Sequence, residues 1–301
     1  MALADPFEAW VGEQQIPAPS ADSSPAAGRG AGSDTLARMA LTITVLSQKG
    51  GTGKTTLTRS LADIFKRVGL ETLAVDADPQ GNLSDYFDTD PAASPTLGEV
   101  IAGRAKAVDA VHDGVIPANL GLAEAELILS GKMGRELTLR NALREAKRRY
   151  DAILIDCPPT LGLLTVNALV AGDQALLSTE AEYFSLQGAE QALEVIELAR
   201  ENLNPELEVL GIVLNIANMR TKHARQTLEA LHQHFPGKTF DTVIRRSIAY
   251  AESAERAIPI LDYRPDRGID YLRLAAEIFE RLQMPDRRQA VERLAGELAP
   301  A

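Results

Sequence analysis

Short apolar runs alternating with helical patterns, a glycine-rich loop between the first run and the first helix, and later runs that end on aspartate predict an α/β fold. The expected architecture is one doubly wound domain, with a mainly parallel central sheet flanked by helices. The β-type runs are Leu41–Leu46, Thr72–Val75, Ala152–Ile155, Gln174–Leu177 and Val209–Leu214. They are short, mostly apolar and rich in Val, Ile and Leu, as strands covered on both faces must be. Between them, Leu57–Val68, Glu136–Arg149, Leu186–Asn202 and Thr221–His234 carry apolar residues at three-to-four spacing, which predicts amphipathic helices packed on the sheet. The domain is expected to span 41–283.

The flanks differ in composition. Residues 1–40 contain an Ile16–Ser33 stretch dominated by Pro, Ala, Ser and Gly and are expected to form a disordered tail. Phe7 and Trp10 ahead of it admit two readings: a partner-docking peptide, or a leader upstream of Met39. Residues 284–301 form a charged tail with a helical pattern over Asp286–Ala299, without the large apolar face that membrane attachment requires.

A length of 301 residues with 45% hydrophobic and 24% charged content is enough for a large buried core. Cys157 is the only cysteine, so an internal disulfide is excluded and a reducing cytoplasm fits. No apolar run reaches 18 residues, and the N-terminus lacks a basic signal region, so neither export nor a membrane partner is expected. The net charge of −11 is unevenly spread: residues 211–301 carry 14 basic and 12 acidic side chains, against 15 and 25 in residues 41–210. A local basic patch for nucleic-acid phosphates is therefore possible in the last third on an otherwise acidic body, and so is a mixed solvated surface.

The most specific chemistry lies in Gln48-Lys49-Gly50-Gly51-Thr52-Gly53-Lys54-Thr55-Thr56. Glycines allow successive backbone N–H groups to converge on phosphate oxygens, and the following helix adds its positive N-terminal end. Lys54 is expected on the β- and γ-phosphates, Thr55 on Mg²⁺ and Thr56 on the α-phosphate, which implies ATP and Mg²⁺ as cofactors. Asp76 and Asp78 in Val75-Asp76-Ala77-Asp78-Pro79 end the second strand: Asp78 is assigned to positioning the attacking water, Asp76 to the Mg²⁺ environment. Ile153-Leu154-Ile155-Asp156-Cys157-Pro158-Pro159 delivers a further carboxylate, Asp156, for the metal shell. Cys157 lacks a histidine motif for thiol chemistry and is expected to be a small structural residue.

The loop departs from the ordinary Walker A pattern, with Gln48 at the first glycine position and an additional Lys49. In this it resembles the deviant-Walker ATPases of the ParA/MinD group, as does the continuation Thr160–Leu169, which is similar to a ParA switch II region, and Glu182-Tyr183-Phe184-Ser185-Leu186-Gln187-Gly188. The resemblance covers about residues 41–283 and is closest to chromosomal and plasmid partition ParA proteins without an N-terminal helix-turn-helix domain. It implies a Mg²⁺-dependent ATPase, catalytic roles for Lys49, Lys54 and Asp78, and a Lys49 that crosses a dimer interface to the other subunit's phosphates. It also places Asn215 and Pro259 at the adenine, although a strand-end asparagine is equally a turn former or cap.

From Val243-Ile244-Arg245-Arg246-Ser247 the resemblance implies non-specific DNA contact by Arg246, where the family's preceding proline is replaced by Arg245. Arg220, Lys222 and Arg225 are further candidates for phosphate contact. The implied function is DNA segregation in the cytoplasm on the nucleoid, by an ATP-dependent homodimer on double-stranded DNA whose hydrolysis a ParB-like partner stimulates. Two alternatives stay open: a ParA-like positioner of a chemoreceptor cluster or microcompartment, and a metabolic or metal-cluster-assembly ATPase. The absence of a Cys-x-x-Cys pair counts against the last.

Overall fold

The computed structural model describes residues 40–182 and 184–298; the N-terminal tail read from the sequence lies outside them. The expected strands all form, and the chain runs β1 (Leu41–Leu46), α1 (Lys54–Arg67), β2 (Thr72–Asp76), α2 (Asn82–Tyr86), α3 (Leu97–Ala102), β3 (Val115–Ile116) and α4 (Gly121–Ser130). They are followed by α5 (Thr138–Ala142), β4 (Ala152–Asp156), α6 (Leu163–Ala171), β5 (Gln174–Thr179), α7 (Ser185–Asn202), β6 (Glu208–Leu214) and α8 (Lys222–His234). The chain continues through α9 (Ala249–Glu255), α10 (Ile260–Tyr263), α11 (Pro265–Arg281) and α12 (Pro285–Leu298).

Among the described residues six strands form one parallel sheet in the order β3-β2-β4-β1-β5-β6. The order reverses direction about β1, which places the loops after β1, β2 and β4 together at the carboxyl edge, where open α/β sheets hold ligands. The register sets Asp76 directly beside Asp156. One face of the sheet is covered by α1 and α11. Leu57, Leu61, Ile64 and Phe65 of α1 meet Tyr271, Leu274, Ala275, Ile278 and Phe279 of α11 in one buried cluster, with the Phe65 and Phe279 rings 4.7 Å apart.

Three local outcomes differ from the sequence pattern. The edge strand β3 is two residues long, too short to show any periodicity. The helix expected over Glu136–Arg149 is instead three short pieces: a 3₁₀ turn at Arg135–Leu137, α5, and a 3₁₀ turn at Ala146–Arg148. Leu139, Leu143 and Ala146 are still buried as the spacing requires, but Asn167 Oδ1 on α6 accepts the Leu139 N–H at 3.1 Å and pins a new helix start there. The charged segment after Met284 folds as α12 against α11: Val291 is buried in the main cluster, and Arg287 donates to the Val68 carbonyl at 2.6 Å.

Candidate active site

The loop between β1 and α1 has the backbone that the glycines allow. Gly51 and Gly53 have φ of +83° and +74°, and a β-carbon on Gly53 would lie 2.8 Å from Asn215 Nδ2 and 3.0 Å from Ile216 Cδ1. Glycine is therefore required at Gly53 by conformation and by space alike. The loop is held from beneath by three side chains. The Thr52 carbonyl accepts from Ser178 Oγ at 2.8 Å and from Asn215 Nδ2 at 2.9 Å, and Asn215 Nδ2 also reaches Ser178 Oγ at 3.2 Å. Drawing that carbonyl inward leaves the neighbouring N–H groups facing out, as an anion cradle needs. Ser47 Oγ donates to the Lys49 carbonyl at 2.7 Å and accepts from Lys54 Nζ at 2.9 Å, so the buried ammonium is fixed at the loop's centre.

Beside the loop, Thr55 Oγ1 donates to Asp156 Oδ2 at 2.6 Å, and Thr58 Oγ1 reaches Asp156 Oδ1 at 3.3 Å. Asp76 accepts the Asp78 N–H on Oδ1, and the Ser84 N–H and hydroxyl on Oδ2, at 3.1, 2.9 and 2.7 Å. It thereby fixes the turn that carries Asp78, whose own Oδ1 accepts the Gln80 N–H at 3.0 Å. Burial, first of all, raises the Asp76 carboxyl to about 6; burial and then the charge of Asp76 raise Asp156 to about 7. Burial also pushes the Cys157 thiol far up, so it does not ionise beside them.

These groups define what the site can hold. Thr55 and Asp156 present hard oxygen donors, with Asp76 alongside, yet the described residues contain no group of three metal-ligating side chains able to cage an ion alone. That donor set fits Mg²⁺, which retains waters and takes much of its shell from phosphate oxygens.

An open groove of about 860 Å³ runs from Gly50, Gly51 and Gly53–Thr56, past Asp78 and Ile216, to Arg246, Ser247 and Tyr250. Thus Gly50, Gly51, Gly53, Lys54, Thr55, Thr56 and Asp78 share one surface, with Thr52 buried beneath it. Asn215 is fully buried; its Nδ2 supports the loop and its Oδ1 accepts the Ile216 N–H at 2.9 Å. Neither Asn215 nor Pro259, which precedes α10, lines the groove. Lys49 stands outside it, exposed and paired with Glu182.

The expected DNA residues separate in the same way. Arg220, Arg245 and Arg246 line a second cleft of about 590 Å³ that shares Arg246, Ser247 and Tyr250 with the first groove. Arg225 turns inward to the Met219 and Arg220 carbonyls at 3.1 and 3.3 Å, and Lys222 opens α8 away from the cleft lining. Ser47, Ser84 and Ser178 were not singled out by the sequence reading. The available signal was a polar residue closing an apolar strand, as Ser47 and Ser178 do after β1 and near the end of β5.

A phosphate loop with a second lysine, a strand-end aspartate against its threonine and a parallel sheet around them define a deviant-Walker P-loop ATPase. The comparisons agree with that class. Residues 40–209 match the model of an AAA domain. Over 245 residues the chain is 36% identical to the sporulation initiation inhibitor protein Soj of Bacillus subtilis, covering 78% of this chain and 97% of Soj. It is 36% identical over 250 residues to the chromosome partitioning protein ParA of Caulobacter vibrioides, covering 79% and 94%. The septum site-determining protein MinD of Pyrococcus horikoshii, solved with Mg-ADP, superposes with a TM-score of 0.68 at 28% identity, covering 87% of this chain and all of MinD. The chain belongs to the ParA family of partition ATPases.

Proposed function

We propose that this ATPase segregates DNA by a nucleotide-gated cycle: ATP and Mg²⁺ bind in the groove, two copies close face to face, and the closed dimer holds double-stranded DNA without reading its sequence. Arg246 and Ser247 carry the proposal. They line both the nucleotide groove and the arginine cleft, so one short segment adjoins the fuel and the cargo. Lys54 and the loop N–H groups hold the phosphates, and Thr55 and Asp156, with Asp76 alongside, hold Mg²⁺. When bound, that ion neutralises charge on the phosphate oxygens. Asp78, which lines the groove with Asp85 and Glu255, orients the attacking water, while Asp76 keeps its turn in place. Thr56 contacts the α-phosphate, and the base lies toward Ile216, where Asn215 acts through the loop it supports.

Dimer closure gives Lys49 its role. Its ion pair with Glu182 is exposed, a class of contact that salt screens and that is readily exchanged for a phosphate. Ile248 on the groove rim is 75% exposed, an apolar surface for a second copy to cover. Among the described residues no helix is long and apolar enough to cross a membrane, and the proposed location is the nucleoid in the cytoplasm. A ParB-like DNA-bound partner is proposed to stimulate hydrolysis and so release the DNA.

Sedimentation with random-sequence duplex tests the cycle. Wild type with ATP and Mg²⁺ is expected to dimerise and co-sediment with DNA, and with ADP to do neither. Arg246→Glu is expected to dimerise with ATP yet leave the DNA behind. A wild-type ATP dimer that ignores DNA at low salt overturns the reading.

A further inference from the structure

The cleft next to the nucleotide groove is built by four elements: the loop after β6, the Arg245–Ser247 segment, Tyr250 of α9, and the first two turns of α11. Four arginines line it, Arg220, Arg245, Arg246 and Arg267, against one carboxylate, Asp270. The four are not equivalent. Arg245 is bound to the buried Asp270 by its Nε at 2.8 Å, its Nη2 at 2.8 Å and its own backbone N–H at 3.0 Å. Its charge is consumed there, and the pair welds the Arg245–Ser247 segment to α11. Arg220 and Arg246 are exposed and have no ion pair among the described residues. Arg267 has one weak tie: its Nε lies 3.1 Å from Asp266, a carboxylate that also serves Arg264 at 3.0 Å, with all three side chains about half exposed. Tyr250 fixes the Arg267 backbone against the cleft wall, its hydroxyl donating to the Arg267 carbonyl at 3.1 Å.

We infer that Arg267, together with Arg220 and Arg246, forms a cradle for a nucleic-acid phosphodiester, and that Arg245 is the brace beneath it rather than a contact. The inference rests on the DNA reading above and adds a residue that the sequence does not flag, while taking one away. Guanidinium groups from three elements converge on one concavity whose carboxylate, Asp270, is taken up by Arg245 and whose amide, Asn218, accepts the Arg220 N–H on its Oδ1 at 3.2 Å, which suits a backbone contact rather than base reading. Asp266 acts as a competing anion at the rim that the phosphate displaces.

The test uses the full chain with a slowly hydrolysed ATP analogue and Mg²⁺, titrated against fluorescent random-sequence duplex over a KCl series. Each phosphate contact adds about 0.9 to the slope of log affinity against log salt. Arg267→Ala is therefore expected to lower the wild-type slope by about one per subunit, which makes the affinity loss between 50 and 200 mM KCl about fourfold smaller per subunit. Arg220→Ala should act alike, and Asp266→Asn, which removes the competitor without touching the cradle, should tighten binding. An Arg267→Ala slope equal to that of a DNA-binding wild type overturns this inference and leaves the DNA reading intact. Weakened binding of a fluorescent ATP analogue by Arg267→Ala, with the DNA slope unmoved, gives the cleft to the nucleotide and also overturns it. A wild type that binds no DNA removes both.

Discussion

The phosphate loop and the arginine cleft sit side by side and share a wall, yet they are assembled by opposite rules. In the loop the groups that set its shape have internal partners: Lys54 on Ser47, the Thr52 carbonyl on Ser178 and Asn215, Thr55 on Asp156, Asp76 on Ser84; the Thr52 hydroxyl is buried without one. The site is rigid before any ligand arrives, which is what electrostatic stabilisation of a developing charge requires. In the cleft, one arginine is tied down and three are left exposed with weak partners or none. On the proposed reading, a surface that takes any DNA sequence and releases it needs reachable charge, not a fixed geometry. Preorganisation marks the chemistry, and availability marks the proposed cargo site.

The sharpest way to break that comparison is to remove the loop's centre. Lys54→Ala is expected to lower ATP affinity by at least about 100-fold, about 2.7 kcal/mol, in calorimetric titration, since it removes the buried cation on which the loop converges. Near-normal affinity would mean that the backbone cradle suffices and Lys54 is structural. Next in size, Asp78→Ala is expected to cut turnover by about 100-fold or more while an ATP-bound dimer that holds DNA persists. Asp78→Ala protein with ordinary phosphate release sinks the water-positioning role.

The two adjacent arginines give the smaller, more pointed contrast. Arg245→Ala leaves the buried Asp270 carboxylate without its guanidinium and is expected to destabilise the fold by about 2 kcal/mol in urea unfolding. Arg246→Ala, with no ion pair to lose, should stay within about 0.5 kcal/mol of wild type in the same assay. Equal losses at both positions would erase the distinction between brace and contact.

That contrast also shows how far the sequence could be read. The parallel α/β class and the placement of Lys54, Thr55, Asp76, Asp78 and Asp156 at the carboxyl edge follow from local facts: glycine spacing, apolar runs and a carboxylate closing a strand. Which arginine is free does not, because it depends on a partner such as Asp270, 25 residues away and brought in by α11. Glu136–Arg149 failed for a related reason. Its spacing reported burial correctly, but the break at Leu139 is imposed by the Asn167 side chain of another helix. Asn215 was legible as a site residue by its place at the end of β6, whereas the direction of its amide, down onto Thr52 and not out toward a base, is set by Ser178 on the neighbouring strand.

Asn215 and Ser178 therefore carry the finest test of preorganisation. Both donate to the Thr52 carbonyl, so either alone keeps it partly turned inward, and the two are in contact with each other. Ser178→Ala and Asn215→Ala are each expected to weaken ATP binding by about tenfold, about 1.4 kcal/mol, the scale of a lost internal hydrogen bond at a buried acceptor. If the pair acts as one support, the double variant departs from additivity by about 0.5 kcal/mol or more in a double-mutant cycle read by ATP titration. If neither variant weakens ATP binding, the carbonyl's direction is set by the glycine backbone alone, and the side chains beneath it are filling space. Rigidity of the loop would then be a property of Gly51 and Gly53, and the difference between the two sites would lie in backbone conformation and not in hydrogen-bond saturation.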